Sequence, residues 1–319
     1  MKIILAKPRG FCAGVNMAVE TLETALRVFG PPVYVYHEIV HNKRVVSEFR
    51  SKGATFVDDL EQVPDGANLV FSAHGVAPGL RANAGARGIR VVDATCPLVT
   101  KVHSEAVRFA KHGHRILLIG HEGHDEIVGT MGEAPDRITL VQSEEDAATI
   151  EVGDPTNVAY LSQTTLSVDE ASRIVGLLRE RFPGIVAPPS EDICYATQNR
   201  QDAVRRLAAE ADLFLVLGSQ NSSNSKRLAE IAASLGVRAH LIDGWREIRP
   251  EWLADVTTVA ITAGASAPEK LVQECIAWLV ERYGASVEER ALREETLHFQ
   301  LPPELRNLVA APSQAVAAG

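Results

Sequence analysis

The stretch LFLVLGSQNSSNSKRL, residues 213–228, contains the pattern that decides the fold. Five apolar residues come first, small and polar residues follow, and a segment suited to a helix comes last. A short apolar run of this kind is typical of a strand that is buried on both faces of a parallel sheet. Three other stretches repeat the same order: VVDATCPLV (91–99), RILLIGHEGHDE (115–126) and VAITAGASAPEKL (259–271). The pattern therefore predicts an α/β protein.

Strand-like runs alternate with helical stretches along the chain, which predicts parallel sheets flanked by helices. The strand candidates are Ile3–Ala6, Val33–Tyr36, Leu69–Phe71, Val91–Val92, Ile116–Ile119, Val158–Leu161, Phe214–Leu217 and Val259–Ile261. Three cysteines recur at about the spacing of one small α/β unit. We therefore expect three similar units, at residues 1–97, 98–193 and 194–284. Residues 285–319 are expected to form a C-terminal extension whose last dozen residues fray.

Composition and charge exclude two classes of partner. The 319 residues carry a formal net charge of −9, so the chain lacks the broad positive field that nucleic-acid binding needs. The apolar runs Ile3–Ala6 and Leu213–Leu217 are far too short for a signal-peptide core or a membrane span. We expect a soluble, cytoplasmic protein without a membrane partner.

Four cysteines are present, and none of them forms a CxxC pair, so any metal site must be assembled in three dimensions. Cys12, Cys96 and Cys194 each stand at a strand-to-helix junction, where a helix N-terminus lowers a thiol pKa. Three such thiols can hold a soft metal or a [4Fe-4S] cluster with one iron left open to substrate. The alternative is that each cysteine is a small buried residue. Cys275, on the apolar stripe of a helix, fits that alternative.

Polar residues at other strand ends indicate an anion site and a proton donor. His41, His74 and His124 each follow a strand, whereas the remaining histidines have ordinary surroundings or intermediate ones. His121, His124 and Glu126 have the spacing HxxHxE, which could indicate a zinc site. Gly123 suggests that these residues lie in a loop rather than on one face of a helix, so a zinc site is not favoured. We interpret Glu126 as a proton donor, because nearby anions would raise its pKa.

Hydroxyl and amide side chains supply the rest of the expected site. Ser222, Ser223 and Asn224 stand at a helix N-terminus, which favours an anion, although a single N-cap would explain one of them. Ser266 also precedes a helix and could contact an anion in the same way, although an ordinary N-cap role fits its position equally well. Thr164 belongs to a third polar cluster after a strand.

Taken together, these segments resemble the family of 4-hydroxy-3-methylbut-2-enyl diphosphate reductases, enzymes of isoprenoid biosynthesis by the methylerythritol phosphate route. The resemblance extends from residue 1 to about residue 303. It is carried by RGFCAGV (9–15), EIVHNKRVV (38–46), SAHGV (72–76), VDATCPLV (92–99), GHEGHDEIVGTMG (120–132), SQTTLSVDE (162–170), EDICYATQNRQ (191–201), GSQNSSNSKRL (218–228), TAGASAPEKLV (262–272) and HFQLPPEL (298–305).

The resemblance implies a trefoil of three α/β units around a central [4Fe-4S] cluster, with Cys12, Cys96 and Cys194 as its ligands. It implies diphosphate binding by His41, His74, His124, Ser222, Ser223, Asn224 and Ser266. Glu126 and Thr164 would deliver a proton, and His124 would assist at the reacting end. The implied reaction is reductive dehydration of the allylic diphosphate to isopentenyl and dimethylallyl diphosphate.

The implied electron donor is a ferredoxin or flavodoxin, because no GxGxxG nucleotide motif is visible. Two positions depart from the family pattern: Asp125 and Val128 stand where Pro and Glu are common. Two other functions stay open on the residues alone. One is a dehydratase whose cluster acts only as a Lewis acid, and the other is an iron–sulfur sensor, for which this acidic chain shows no basic DNA-binding element.

Overall fold

The computed structural model describes residues 1–310. The strands are β1 (Lys2–Lys7), β2 (Val33–Tyr36), β3 (Ala54–Val57), β4 (Asn68–Phe71), β5 (Arg90–Asp93), β6 (Arg115–Ile119), β7 (Ile138–Val141), β8 (Val158–Ser162), β9 (Leu213–Leu217), β10 (Arg238–Ile242), β11 (Thr258–Ala263) and β12 (Ser286–Ala291). The helices are α1 (Ala13–Phe29), α2 (Lys43–Ser51), α3 (Pro78–Ala86), α4 (Pro97–Lys111), α5 (Asp125–Glu133), α6 (Glu144–Thr149), α7 (Val168–Arg181), α8 (Tyr195–Ala208), α9 (Ser223–Ser234), α10 (Glu269–Tyr283) and α11 (Pro303–Ala310). Across residues 1–310, no helix has both the length and the apolar character needed to cross a membrane.

The strands form three separate sheets, and every strand pair is parallel. The five-stranded sheet has the order β10-β9-β11-β1-β12, the four-stranded sheet has β3-β2-β4-β5, and the three-stranded sheet has β7-β6-β8. The predicted fold class, α/β with three parallel sheets, is therefore confirmed.

Strand β9 shows why an unbroken apolar run forms a central strand. Alternate side chains of a strand point to opposite faces of the sheet. Leu213, Leu215 and Leu217 enter the core beneath α10, and Phe214 and Val216 enter the core beneath α8 and α9. All five are fully buried, so neither face of this strand could accept a polar residue.

The predicted unit boundaries differ from the sheets in two places. Strand β1 was assigned to the unit 1–97, but it pairs with β11 and β12 in the five-stranded sheet. Strand β12 lies in residues 285–319, which were assigned to an extension and a tail. After β1 the chain crosses to the four-stranded sheet, where α1 packs through Ala18 and Leu22. The apolar run of β1 fixed its burial, but its partners depend on contacts more than 250 residues away in sequence.

The four strands that the sequence pattern missed are β3, β7, β10 and β12. All four lie at sheet edges, where one side of the strand has no neighbour. Edge strands are often charged or mixed in polarity, which protects them from pairing with other chains. Strand β12, with the sequence SVEERA, has mostly exposed or half-exposed side chains and no apolar run.

Helix α11 gives the C-terminal extension a structural role. Leu305 is fully buried in the core of the four-stranded sheet, and α11 packs against α1. The expected fraying covered the last dozen residues. Residues 308–310 are helical instead, and residues 311–319 lie outside the described part of the chain.

Leu305→Ala should lower the free energy of unfolding by about 2–5 kcal/mol, because it removes a fully buried side chain and leaves a cavity. Urea unfolding followed by circular dichroism measures this change. Leu308→Ala on the same helix is the matched control, because Leu308 is 48% exposed. It should shift the free energy by less than about 0.5 kcal/mol. Equal effects of the two substitutions would contradict the docking of α11.

Candidate active site

One cavity lies where the carboxyl ends of the strands from the three sheets converge. Ligands of parallel α/β sheets bind at such strand ends. All twelve residues singled out in the sequence line this cavity: Cys12, His41, His74, Cys96, His124, Glu126, Thr164, Cys194, Ser222, Ser223, Asn224 and Ser266. The tertiary structure thus brings together every candidate that the sequence proposed, and their individual roles stay predictions.

Each of the three cavity cysteines is the N-cap residue of a helix: Cys12 of α1, Cys96 of α4 and Cys194 of α8. Pro97 begins α4, since proline fits the first turn of a helix. The backbone of each cysteine is also fixed by a hydrogen bond from its amide to a neighbouring loop. The acceptors are the carbonyl oxygens of Ala265 (3.3 Å), Ala73 (3.0 Å) and Thr164 (3.0 Å), in that order. Three helix N-termini therefore point toward the thiols.

The thiols of Cys96 and Cys12 lie on either side of Gly14. A Cβ atom on Gly14 would lie 2.5 Å from Cys96 Sγ and 4.0 Å from Cys12 Sγ, so only glycine fits there. Burial, with Cys12 as the next cause, raises the pKa of Cys96 to about 12 and that of Cys194 to about 11. These thiols are hard to ionise unless a metal replaces their protons. Soft donors, crowded together and poorly ionised alone, fit a metal–sulfur cluster.

Cys275 behaves as the alternative interpretation of cysteine predicts. It is fully buried in the core of the five-stranded sheet, beside Val272 and Leu279. It does not line the cavity. Its pKa is raised to about 12 by burial alone, without a neighbouring thiol.

Three imidazoles form the polar end of the cavity. The rings of His41 and His74 stack with centroids 3.9 Å apart, and the ring of His124 stands edge-on to both, at 5.5 and 5.9 Å. Burial, followed by the nearby His41, lowers the pKa of His74 well below its usual value and that of His124 to about 4. His124 Nδ1 accepts the amide hydrogen of Glu126 at 3.2 Å, so the proton of the neutral ring is on Nε2. His124 is therefore a hydrogen-bond donor.

Hydroxyl groups continue this polar surface from the five-stranded sheet. Ser222 does cap α9, because its Oγ accepts the amide of Ser225 at 3.3 Å. Ser266 is not an N-cap: the residue that precedes α10 is Pro268, and Ser266 Oγ donates to the carbonyl of His41 at 2.9 Å. Ser266 Oγ also lies 3.3 Å from Ser222 Oγ. The serines therefore join the histidine loop to the helix N-terminus in one cradle.

Asn224 is fixed from both ends of its amide. Its Oδ1 accepts the amide hydrogen of Ala265 at 2.9 Å, and its Nδ2 donates to Thr197 Oγ1 at 3.2 Å. Close packing makes this possible, since a Cβ on Gly264 would lie 3.2 Å from the Cα of Ser225 in α9. Donors at a helix N-terminus, without an adjacent carboxylate on α9, suit an anionic ligand.

Glu126 and Thr164 form a buried pair at the side of the cavity. The Thr164 amide donates to Glu126 Oε1 at 2.7 Å, and Thr164 Oγ1 lies 2.9 Å from Glu126 Oε2. Burial raises the pKa of Glu126 to about 7 and outweighs these hydrogen bonds, which lower it. Desolvation is the largest cause of the increase, and the like charge of Asp192 adds to it. A carboxyl group with this pKa can hold or release a proton near neutrality.

The zinc interpretation of the HxxHxE spacing does not correspond to the geometry. His121 Nδ1 lies 3.3 Å from Gln163 Oε1, whereas His124 belongs to the imidazole group and Glu126 binds Thr164. The three side chains therefore have three different sets of partners.

Tyr195 and Thr197 are polar cavity residues that were not proposed from the sequence. Tyr195 lines the cavity, and its hydroxyl accepts the amide of Ala13 at 3.4 Å. Thr197 Oγ1 lies 3.1 Å from Cys194 Sγ and connects that thiol to Asn224. Both lie in the first turn of α8, and their position directly after Cys194 was the available signal.

The fold and the cavity define a class: an α/β protein whose three parallel sheets share one site of thiols, imidazoles and hydroxyls. The sequence matches the family described as LytB protein over residues 3–280. The chain therefore belongs to the LytB family.

Named relatives cover almost the whole chain. A 4-hydroxy-3-methylbut-2-enyl diphosphate reductase from Rhodopirellula baltica is 59% identical over 315 residues, or 99% of each protein. One from Acidothermus cellulolyticus is 58% identical over 306 residues, covering 96% of this chain and 90% of that protein. The solved structure of the E-1-hydroxy-2-methyl-but-2-enyl-4-diphosphate reductase from Plasmodium falciparum has a TM-score of 0.93 and 37% identity, covering 97% and 98% of the two chains.

The Glu126 carboxyl should titrate near pH 7 in the folded protein, because burial disfavours its charged form. Infrared difference spectroscopy against Glu126→Gln should show a protonated-carboxyl band that disappears with a midpoint at about 7. The free energy of unfolding should also depend on pH because of this carboxyl group. Relative to Glu126→Gln, the wild-type protein should lose stability as the pH rises from 4.5 to about 7.

The matched control is Glu122→Gln, on an exposed residue of the preceding loop, which should leave both titrations intact. A midpoint near 4.5, the ordinary value for glutamate, would contradict the assigned environment.

Proposed function

We propose that this protein catalyses the reductive dehydration of (E)-4-hydroxy-3-methylbut-2-enyl diphosphate to isopentenyl diphosphate and dimethylallyl diphosphate. The observation that carries the proposal is one cavity that contains three crowded thiols, an imidazole–hydroxyl cradle and a protonatable carboxyl. These are the three functions that the reaction needs: electron delivery, anion binding and proton delivery. The names of the relatives at 54–59% identity support the substrate.

The diphosphate would lie in the cradle between the imidazoles and α9. His41, His74 and His124 would donate N–H groups, and Ser222, Ser223 and Asn224 would donate hydroxyl or amide hydrogens. The Ser266 hydroxyl would turn from the His41 carbonyl to donate to the diphosphate as well. The N-terminus of α9 adds a favourable dipole for negative charge. The cradle and the thiols belong to the same cavity, so a bound diphosphate would hold the short carbon chain beside the thiols.

Cys12, Cys96 and Cys194 would hold a [4Fe-4S] cluster, with one iron not bound by the protein. When bound, the cluster would supply electrons one at a time and a Lewis-acidic iron. The helices that begin after the three cysteines would stabilise its negative charge through their N-termini.

The overall reaction consumes two electrons and two protons, breaks the allylic C–O bond and releases water. The Thr164 amide can only donate, so it occupies Glu126 Oε1 and leaves Oε2 to carry the proton. Oε2 faces the Thr164 hydroxyl, which can accept that proton and pass its own hydrogen to the departing hydroxyl group. His124, whose Nε2 carries a hydrogen, would assist at the reacting end. The second proton would go to either end of the allylic unit and so give the two products.

We propose a ferredoxin or flavodoxin as the electron donor and the cytoplasm as the location. A small protein donor accounts for the missing nucleotide-binding motif, and the iron–sulfur chemistry would be maintained in a reducing compartment. The net charge of −9 supports the expectation of no nucleic-acid partner.

Anaerobically purified wild-type protein should contain about four irons and four sulfides per chain, with the Mössbauer or EPR signature of a cubane cluster. Cys12→Ser, Cys96→Ser and Cys194→Ser should each lose most of this iron, because an alcohol is a poor ligand for iron in such clusters. Cys275→Ser is the matched control and should keep the wild-type iron content, because Cys275 lies in a core away from the cavity.

Turnover of the allylic diphosphate with reduced methyl viologen then separates the candidate functions. Product formation that requires the reductant supports the reductase. Turnover without reductant would replace it with a dehydratase, and a cluster without turnover would favour a sensor. One bound zinc in place of iron would overturn the cluster assignment.

Glu126→Gln should lower turnover by about 10²–10⁴-fold, because the amide cannot donate the proton that the leaving hydroxyl needs. Iron content and pyrophosphate affinity should stay near wild-type values. Wild-type turnover should fall as the pH rises above about 7, where Glu126 ionises, and the residual activity of the variant should lack that fall.

Two substitutions at Thr164 test whether its hydroxyl passes the proton from Glu126 to the leaving hydroxyl group. Thr164→Ser keeps the hydroxyl and should retain most activity, whereas Thr164→Val should lose most of it. Near-normal turnover of Glu126→Gln would remove the carboxyl from the mechanism.

A further inference from the structure

A carboxylate lies directly behind the imidazoles of the cradle. Asp125 Oδ1 is 2.7 Å from His37 Nδ1, and Asp125 Oδ2 is 3.8 Å from His74 Nδ1. The Asp125 side chain is only 16% exposed. It is the first residue of α5, next to His124, and this position departs from the sequence pattern of the resembled family. Asp125 thus connects a histidine outside the cavity to one that lines it.

Asp125 is held in its ionised form. Burial by itself would raise its pKa, but the hydrogen bond with His37 and the charges of His74, His37 and His41 outweigh burial and lower the pKa to about 2. The pKa of His37 is shifted the other way: the hydrogen bond to Asp125 raises it and outweighs burial, which would lower it. Asp58 supports this increase from the loop after β3.

His74 receives opposing influences from the groups around it. Burial is the largest, and His41, His124 and His37 also disfavour its charged form, whereas Asp125 favours that form. Without a ligand, burial and the neighbouring histidines outweigh Asp125, and the His74 ring is neutral. A diphosphate bound in the cavity would place a second negative group at the opposite edge of the His74 ring. Nδ1–H would then face Asp125 and Nε2–H would face the anion.

We propose that Asp125 is a positioning residue that couples diphosphate binding to the uptake of one proton from solvent by His74. This inference rests on the proposed function, because it takes the anion cradle as the substrate site. The imidazolium of His74 would lie between the Asp125 carboxylate and the substrate anion. The ring of His41 stacks on that of His74 with centroids 3.9 Å apart, so the imidazolium of His74 would also lie against this neighbouring ring.

The same geometry offers one competing ligand. The donor atoms of His41, His74 and Asp125 lie within 4.8 Å of one another, which a divalent cation could bridge. Asp125 Oδ1 already has a short hydrogen bond to His37, and Ser72 Oγ lies 3.3 Å from His74 Nδ1. Because His37 already engages Asp125 Oδ1, the geometry favours a proton over a metal between Asp125 and His74.

The test is calorimetric titration of cluster-loaded protein with inorganic pyrophosphate at neutral pH, in two buffers of different ionisation enthalpy and with a chelator present. The wild-type protein should take up close to one more proton per bound pyrophosphate than Asp125→Asn does. The protonation of pyrophosphate itself is common to both titrations and cancels. In the pH range in which binding makes His74 take up a proton, the Kd of the wild-type protein should rise more steeply with pH than the Kd of the variant. The difference should be up to about tenfold per pH unit.

Matched variants separate charge from structure. Asp125→Glu keeps the carboxylate and should recover most of the proton uptake, which a merely structural role of Asp125 would not predict. Glu122→Gln removes an exposed carboxylate from the preceding loop and should behave as wild type. Nitrogen NMR of His74 in wild-type protein supplies a second measurement, and it should show a neutral ring alone and an imidazolium with pyrophosphate.

Each contrary result has a separate meaning. Equal proton uptake by wild type and Asp125→Asn, or a neutral His74 in the complex, would overturn the role of Asp125 and leave the substrate site intact. Binding that requires an added divalent cation would replace the proton with a metal. A wild-type protein that does not bind pyrophosphate would overturn the diphosphate site and this inference with it.

Discussion

Three hydrogen bonds between loops hold the whole site together. In each, a cysteine amide at a helix N-terminus donates to a carbonyl in a loop that carries other cavity residues. Cys12 bonds to the loop of Ser266, Cys96 to the loop of His74, and Cys194 to Thr164 itself. A buried amide that loses its acceptor costs about 1–3 kcal/mol, so these contacts fix each cysteine-bearing segment against its neighbouring loop. They also place metal-binding and substrate-binding groups in one rigid frame, because each bond joins a thiol-bearing residue to the neighbouring part of the cavity.

Burial moves most of the ionisable groups in this cavity toward their neutral forms. The thiols of Cys96 and Cys194 and the carboxyl of Glu126 have raised pKa values, and the imidazoles of His74 and His124 have lowered ones. A site of this kind stores little charge of its own, so the charge of a bound ligand decides which groups ionise. Asp125 is the exception, because its hydrogen bond to His37 and the surrounding imidazoles keep it anionic. It lies behind the cradle rather than in it, where a negative charge supports an imidazolium.

The sequence predicted all the inner strands together with the edge strands β5 and β8, and the four strands that it missed all lie at edges, for a physical reason. A central strand such as β9 has to be apolar on both faces, and this requirement is visible as an unbroken run. Strands β3, β7, β10 and β12 each have one free edge, so their sequences are less constrained and resemble loops. The C-terminal segment differs from the expectation for a related reason: among residues 303–308 of α11 only Leu305 is buried, and a single buried position has no periodicity to detect.

By itself the sequence determined the α/β class, the strand-to-helix junctions and the types of side chain that stand at them, because these depend on local polarity and on turn chemistry. It also determined which residues could supply thiol, imidazole, hydroxyl and carboxyl groups. Only the tertiary structure decided that β1 joins the five-stranded sheet, that Thr164 fixes one oxygen of Glu126, and that Asp125 joins His37 to His74. Those contacts join segments far apart in the chain, and their geometry follows from how the three units pack, which no local pattern encodes.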